Sequence, residues 1–334
     1  MIKINNREIG GDNPTYIIAE MGINHNGSFD IAMKMVKEAA KCGVDAIKVQ
    51  IISAGESYTR KSKSYSIFKK VELKFEEWRM LVNRARELGI DIFSTFVNTV
   101  DLEHAKELDL PAIKISSTNL TNFPLLEAVA KLKKPVLIST GMCYLSEVDE
   151  AIRFLEEKGQ GQIGILQCTS LYPTYPKDVN LLAIQTLTRA FSKYTVGFSD
   201  HTIGINCAVA SVAIGGKIIE KHFTLDRNME GPDHHFSATV EELTALVKAV
   251  REVEIALGSS IKKPVHNEIL TRERFQRNLV AAQDIKEGDI LSYEKICVKR
   301  SEIKGVSPKD LKVIIGRHAR KNIVKDEAVT WDAI

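Results

Sequence analysis

From Tyr16 onward the chain alternates between short runs rich in β-branched residues and longer stretches with helical spacing. The runs are Tyr16 to Glu20, Asp45 to Ile51, Asp91 to Phe96, Pro111 to Ser117, Pro135 to Thr140, Ile163 to Thr169, Thr195 to Asp200 and Lys217 to Phe223. The intervening stretches read as helices. In FDIAMKMVKEAAKCG, for example, Ile31, Met35, Val36 and Ala39 fall on one helical face, and Gly43 supplies a stop. Eight strands with helical crossovers predict a parallel sheet closed into a (β/α)8 TIM barrel, an α/β fold. An open doubly wound sheet is the rival, because periodicity does not report closure.

The distribution of polar residues favours closure. They gather at the C-terminal ends of the runs: Glu20; Lys48 and Gln50; Ser94 and Thr95; Lys114, Ser116 and Ser117; Ser139; Thr169 and Ser170; Ser199, Asp200 and His201; Lys221 and His222. Any one of them could start a turn or cap a helix. The same bias at eight strand ends points to a common site, and barrels carry their sites on that face.

The 334 residues exceed what a barrel of roughly 250 residues needs. EELTALVKAVREVEIALG, with Leu243, Val247, Val250 and Val253 on one face, reads as the last barrel helix. Residues 1–262 are assigned to the barrel, 263–276 to a linker and 277–334 to a small, mostly β module. Inside that module QDIKEGDILSYEKI echoes KNIVKDEAVTWDAI, and SPKDLKVII reads as a short helix. A formal net charge of +3 gives no reason to expect nucleic acid or an anionic membrane as partner. Five scattered cysteines without CxxC spacing suit a reducing compartment. With neither a signal-peptide pattern nor an apolar span of about 20 residues, the expected location is the cytoplasm.

His201 and His222 end neighbouring predicted strands, where a pair of imidazoles suits a divalent metal. Asp233, in GPDHHF, adds a nearby carboxylate, while His234 and His235 are expected on the surface or in a loop. Lys48 and Lys114 would be costly to bury without an anion. With the hydroxyls of Thr95, Ser117, Ser139 and Ser199 they make a phosphate or carboxylate pocket. A Schiff-base lysine is the competing reading. No strand is followed by a Walker loop or a dinucleotide glycine fingerprint, so no nucleotide cofactor is expected.

IIAEMGINHNG, DAIKVQ, PAIKISS, ISTGM, CTSLYPT, GFSDHT, EKHFTLD and GPDHHFS, in that order, resemble the sialic acid synthases. That family includes the N-acetylneuraminate, legionaminate and pseudaminate synthases. The likeness extends to a C-terminal module similar to the antifreeze-like (SAF) domain. It implies condensation of phosphoenolpyruvate with an open-chain N-acetylated hexosamine, either N-acetylmannosamine or a 2,4-diacetamido-trideoxyhexose, giving a nine-carbon 2-keto acid and phosphate. By this resemblance His201 and His222 hold a divalent metal, Mn²⁺ or alternatively Mg²⁺ or Co²⁺. Lys48, Gln50, Thr95, Lys114, Ser117, Ser139, Ser170 and Ser199 contact phosphoenolpyruvate. Glu20 and Asp233 share water activation and proton handling, in an order the resemblance leaves open. Tyr172 lines the sugar pocket, and Arg300 reaches the sugar from the partner subunit of a domain-swapped homodimer.

Two positions depart from the family pattern. Asn119 stands where many members carry a glutamate that contacts the sugar, and Phe96 stands where proline is frequent. The other readings of the chain are a Schiff-base aldolase or lyase acting through Lys114, and a non-enzymatic carbohydrate-binding protein with the barrel as scaffold.

Overall fold

A computed structural model covers residues 1–334 and divides into two compact units, Met1–Gly258 and Ser259–Ile334. The first unit opens with a hairpin, β1 (Ile2–Ile4) and β2 (Arg7–Ile9), paired antiparallel. Eight parallel strands follow: β3 (Tyr16–Gly22), β4 (Ala46–Gln50), β5 (Asp91–Thr95), β6 (Ile113–Ile115), β7 (Val136–Ser139), β8 (Ile163–Cys168), β9 (Thr195–Asp200) and β10 (Ile218–His222). The last pairs with the first, Ile218 opposite Tyr16, so the sheet is closed and the open-sheet alternative is excluded.

Strand periodicity sorts the side chains into two sets. Ile17, Ala19, Ile47, Val49, Ile113, Ile115, Val136, Ile138, Ile163, Ile165, Val196, Phe198 and Ile219 belong to one core, shared with apolar helix faces. Phe96, at the position of the expected departure, is buried in that core too. Tyr16, Ile18, Ala46, Phe93, Ala112, Leu137, Leu166 and Ile218 alternate with them and form a second core inside the barrel. The N-terminal hairpin completes this inner core with Ile2, Ile4 and Ile9. The hairpin precedes the alternation of strands and helices that starts at Tyr16 and carries no signal of its own in the sequence pattern. Its three-residue strands, Ile-Lys-Ile and Arg-Glu-Ile, are too short to separate from a loop.

The final helix of this unit is Val240–Leu257, entered through Thr239, whose hydroxyl caps Glu242. No helix in the chain is long and apolar enough to cross a membrane.

The second unit begins at Ser259. The stretch expected as a linker at 263–276 carries a helix, His266–Phe275, with none of its residues buried. Its three apolar residues, Ile269, Leu270 and Phe275, point in different directions around the helix axis, which leaves the sequence pattern without one apolar face to read. The small antiparallel sheet of β11 (Asn278–Ala281) and β12 (Ile296–Lys299) follows. The internal echo is physical. Ile285 and Ile323 occupy matching places in the two halves, and their backbones exchange two hydrogen bonds of 2.8 Å. Leu291 with Val329, and Ile296 with Ile334, are further matching pairs in the same core.

The hairpin gives a stability prediction. Ile4 has no exposed surface. Ile4→Ala leaves a cavity at the closed end of the barrel and should cost about 2–5 kcal/mol in urea unfolding. A loss below 0.5 kcal/mol would mean that the hairpin does not plug the barrel.

Candidate active site

Above the inner apolar core the same inward-facing positions turn polar. Glu20 on β3, Lys48 and Gln50 on β4, Thr95 on β5, Lys114 on β6, Ser139 on β7, Cys168 on β8, Ser199 on β9, and Glu220 and His222 on β10 line one cavity, joined by Ser117, Tyr172, His201 and Asp233 from the loops. The cavity holds about 300 Å³. Its outer wall is apolar, with Ile23, Pro232, and Ile67 and Phe68 of the helix Lys63–Val71.

Four buried charges form the floor. The Lys48 ammonium lies 2.8 Å from Glu20 and donates to the Thr95 hydroxyl at 2.7 Å. The Lys114 ammonium donates to the Ser139 hydroxyl at 2.6 Å. Glu220 stands between the lysines, 3.7 Å from each, and accepts from Ser199 at 3.1 Å. Glu20 also accepts from Gln50 at 2.9 Å. Burial pushes the Glu20 carboxyl up, with Glu220 adding to the effect against the pull of Lys48. Burial acts the same way on Glu220, but Lys114 and Lys48 outweigh it and hold that carboxyl below its ordinary value. The two carboxyls are thereby driven apart, the pattern expected where one acts as acid and the other as base. Burial lowers Lys114, and Glu220 restores only part of the loss. For Lys48 burial is overcome by Glu20 and Glu220, and its pKa is raised.

The two histidine rings lie with centroids 5.3 Å apart, and Tyr172 covers His201 at 4.2 Å. His201 Nδ1 is 2.8 Å from the Thr169 carbonyl oxygen, which can only accept. Nδ1 therefore carries the hydrogen and the neutral ring presents its lone pair at Nε2. Burial lowers the His201 pKa, but Cys168, 3.9 Å away, together with the Thr169 carbonyl and Glu220, more than restores it. Metal binding at this ring would therefore compete with a proton. Burial, followed by the charge of His201 and the lysines, holds His222 well below its ordinary value. His222 Nδ1 is buried with no hydrogen-bond partner and lies 3.9 Å from Asp233. Burial raises the Asp233 carboxyl.

These features fit a divalent ion on two imidazoles, with the orphaned Nδ1 as the telling atom. No third His, Cys, Asp or Glu joins them at metal-ligand spacing. The remaining coordination positions would fall to substrate and water, as in an open catalytic site.

The chain matches the NeuB family over residues 35–262 and the SAF domain over residues 276–334. It belongs to the NeuB family. An uncharacterized protein of Methanocaldococcus jannaschii is 45% identical over 331 residues, covering 99% of this chain and 98% of that protein. The N,N′-diacetyllegionaminic acid synthase of Campylobacter jejuni is 38% identical over 331 residues, covering 94% of this chain and 98% of that enzyme. Among solved structures, N-acetylneuraminic acid synthetase of Leptospira borgpetersenii, in complex with citrate, superposes with a TM-score of 0.77 at 35% identity. That alignment covers 82% of this chain and 96% of the other.

Within this NeuB-family barrel most of the expected residues meet, but not all. Ser170 does not line the cavity. Asn119 does not line it either. Its amide donates to Ser116 and Thr118, and its oxygen accepts from Asn122, so the side chain is consumed by its own turn. Arg300 belongs to the second unit, where its guanidinium lies 4.1 Å above the Phe275 ring. His234, expected at the surface or in a loop, lies in the connection after β10 but is buried there and bonds Thr224 at 2.7 Å, whereas His235 is exposed. Lys221, counted among the strand-end residues, is paired with Asp200 instead of lining the cavity.

Glu220 was missed. The signal was available, since Glu220 shares its strand face with His222 and Lys221 does not. His25 was also passed over. It is buried in the loop after β3, edge-on to Trp78, with Nδ1 accepting from Gly27.

Burial lowers the His25 pKa from 6.5 to about 4, so the unfolded chain takes up the proton first. The contribution of the neutral ring is complete above about pH 6.5 and falls as pH drops toward 4, by about 3 kcal/mol at the lower end. Urea unfolding at pH 7 and pH 4.5 should show a larger loss for the wild type than for His25→Gln. Equal losses would contradict this assignment.

Proposed function

We infer that this chain condenses phosphoenolpyruvate with an open-chain N-acetylated hexosamine to give a nine-carbon 2-keto acid and inorganic phosphate. One observation carries the reading: two buried lysines and a set of hydroxyls converge beside two histidines at the strand ends of one cavity. The named activities of the NeuB-family relatives support it.

In this reading Lys48 and Lys114, with Thr95, Ser117, Ser139 and Ser199, hold the phosphate and carboxylate of phosphoenolpyruvate. Ser170 lies just outside that set. His201 and His222 would hold a divalent metal, Mn²⁺ foremost, which when bound polarises the sugar aldehyde as a Lewis acid. Carbon 3 of phosphoenolpyruvate forms the new bond to the aldehyde carbon, whose oxygen takes a proton. Water adds at carbon 2, and the bond to phosphate breaks. Glu220, kept ionised between the lysines, is placed to accept the proton of that water. Glu20, pushed toward its protonated form, can return one. Asp233, beside His222, faces the aldehyde end. Gln50 orients Glu20.

Tyr172, Ile23, Ile67 and Phe68 receive the acyl and distal parts of the sugar. Asn119 contributes no direct contact in this reading. Arg300 of the partner subunit completes the site in a domain-swapped homodimer.

A Schiff-base aldolase draws support from the depressed Lys114 pKa. A second cationic lysine and a bridging carboxylate suit a bound anion better than a free amine.

Supplying phosphoenolpyruvate, Mn²⁺ and a panel of N-acetylated hexosamines should release phosphate stoichiometric with a nine-carbon acid found by mass spectrometry. His222→Ala should cut the rate at least a thousandfold while melting within a few degrees of the wild type. Turnover of no sugar in the panel, or near-normal turnover by His222→Ala, would overturn the reading.

A further inference from the structure

Asp200 and Lys221 are the charged pair that the proposed chemistry leaves unused. Both are buried, at 0% and 1% exposure, with 2.8 Å between Oδ2 and Nζ. Their strand neighbours explain the oddity. Val196 and Phe198 on β9, and Ile219 on β10, belong to the outer core between sheet and helices. Strand alternation puts Asp200 and Lys221 next in those two series, on a face that elsewhere carries aliphatic residues. A buried ion pair is weak evidence for stability, since apolar residues of like size often serve a core as well.

The pair sits directly behind the histidines. Asp200 and Lys221 face each other in the β9–β10 register. Asp200 precedes His201, and Lys221 precedes His222. Lys221 Nζ also donates to the Thr202 carbonyl, and Asp200 Oδ1 accepts from the Thr202 amide at 2.8 Å. The turn through His201 is thus held at Thr202 by Asp200 from β9 and by Lys221 from β10. Its carbonyl accepts from Thr174 at 2.9 Å, which leaves little freedom. The strands also approach closely, since a Cβ on Gly197 would collide with the Ile218 carbonyl.

We propose that the Asp200–Lys221 ion pair is a positioning device that sets the separation of His201 and His222 from behind the barrel wall, and with it the affinity for a divalent cation. The proposal rests on the reading of the two histidines as metal ligands. Residues that orient metal ligands without touching the ion are typically worth 10–100-fold in affinity.

The test is a titration of the full-length protein with Mn²⁺, followed by the loss of the free-ion electron paramagnetic resonance signal, alongside thermal melting. Asp200→Asn/Lys221→Met removes both charges and leaves neither unpaired. It should melt cooperatively and bind Mn²⁺ at least tenfold more weakly. Asp200→Glu retains the charges but lengthens the clamp, and should weaken binding about threefold or more even if the double variant fails to fold. Wild-type affinity in a folded double variant, or in Asp200→Glu if the double variant does not fold, overturns the positioning role alone. A wild-type chain that binds no Mn²⁺ overturns the metal reading beneath it.

Discussion

Two lysines buried inside a barrel are the constraint on which the rest of this structure depends. Each ammonium loses its hydration, a penalty of several kcal/mol unless charge and hydrogen bonds replace the water. Glu20 and Glu220 supply the charge, while Thr95 and Ser139 supply hydroxyls. The arrangement requires a closed sheet, because β10 must return to β3 for Glu220 to reach Lys48. It also requires a sealed far end, which the hairpin residues Ile2, Ile4 and Ile9 complete. The apolar layer and the charged layer are stacked along the same strands, and the chemistry follows from where one gives way to the other.

Much of this was legible in the sequence because it depends on local periodicity. Each of the eight runs became a barrel strand within a few residues of its expected bounds. The strand-end lysines and histidines were visible for the same reason. What failed depended on direction or distance. Lys221 and Glu220 are neighbours on one strand, and only the parity relative to His222 decides which enters the cavity. Asn119, a sugar contact by the family resemblance, makes three hydrogen bonds within its own turn, which its place in the sequence does not announce. The burial of His234 comes from a partner ten residues away, Thr224, and no spacing rule announces that.

The second unit gives the complementary lesson. Its internal echo could be read as a repeat, but the meaning of the repeat emerged only in three dimensions. Matching isoleucines pair their backbones, and matching apolar positions fill one small core. The helix His266–Phe275 escaped notice because helical sequences without an apolar face carry no amphipathic signal.

The central claim is that the lysine floor binds the anionic substrate. Calorimetric titration of phosphoenolpyruvate into the metal-free protein and its Lys114→Met variant tests this most directly. The account predicts saturable one-site binding that weakens by about thirty- to a hundredfold in the variant, the worth of one or two charge-assisted hydrogen bonds. Equal affinity in the two proteins would contradict it.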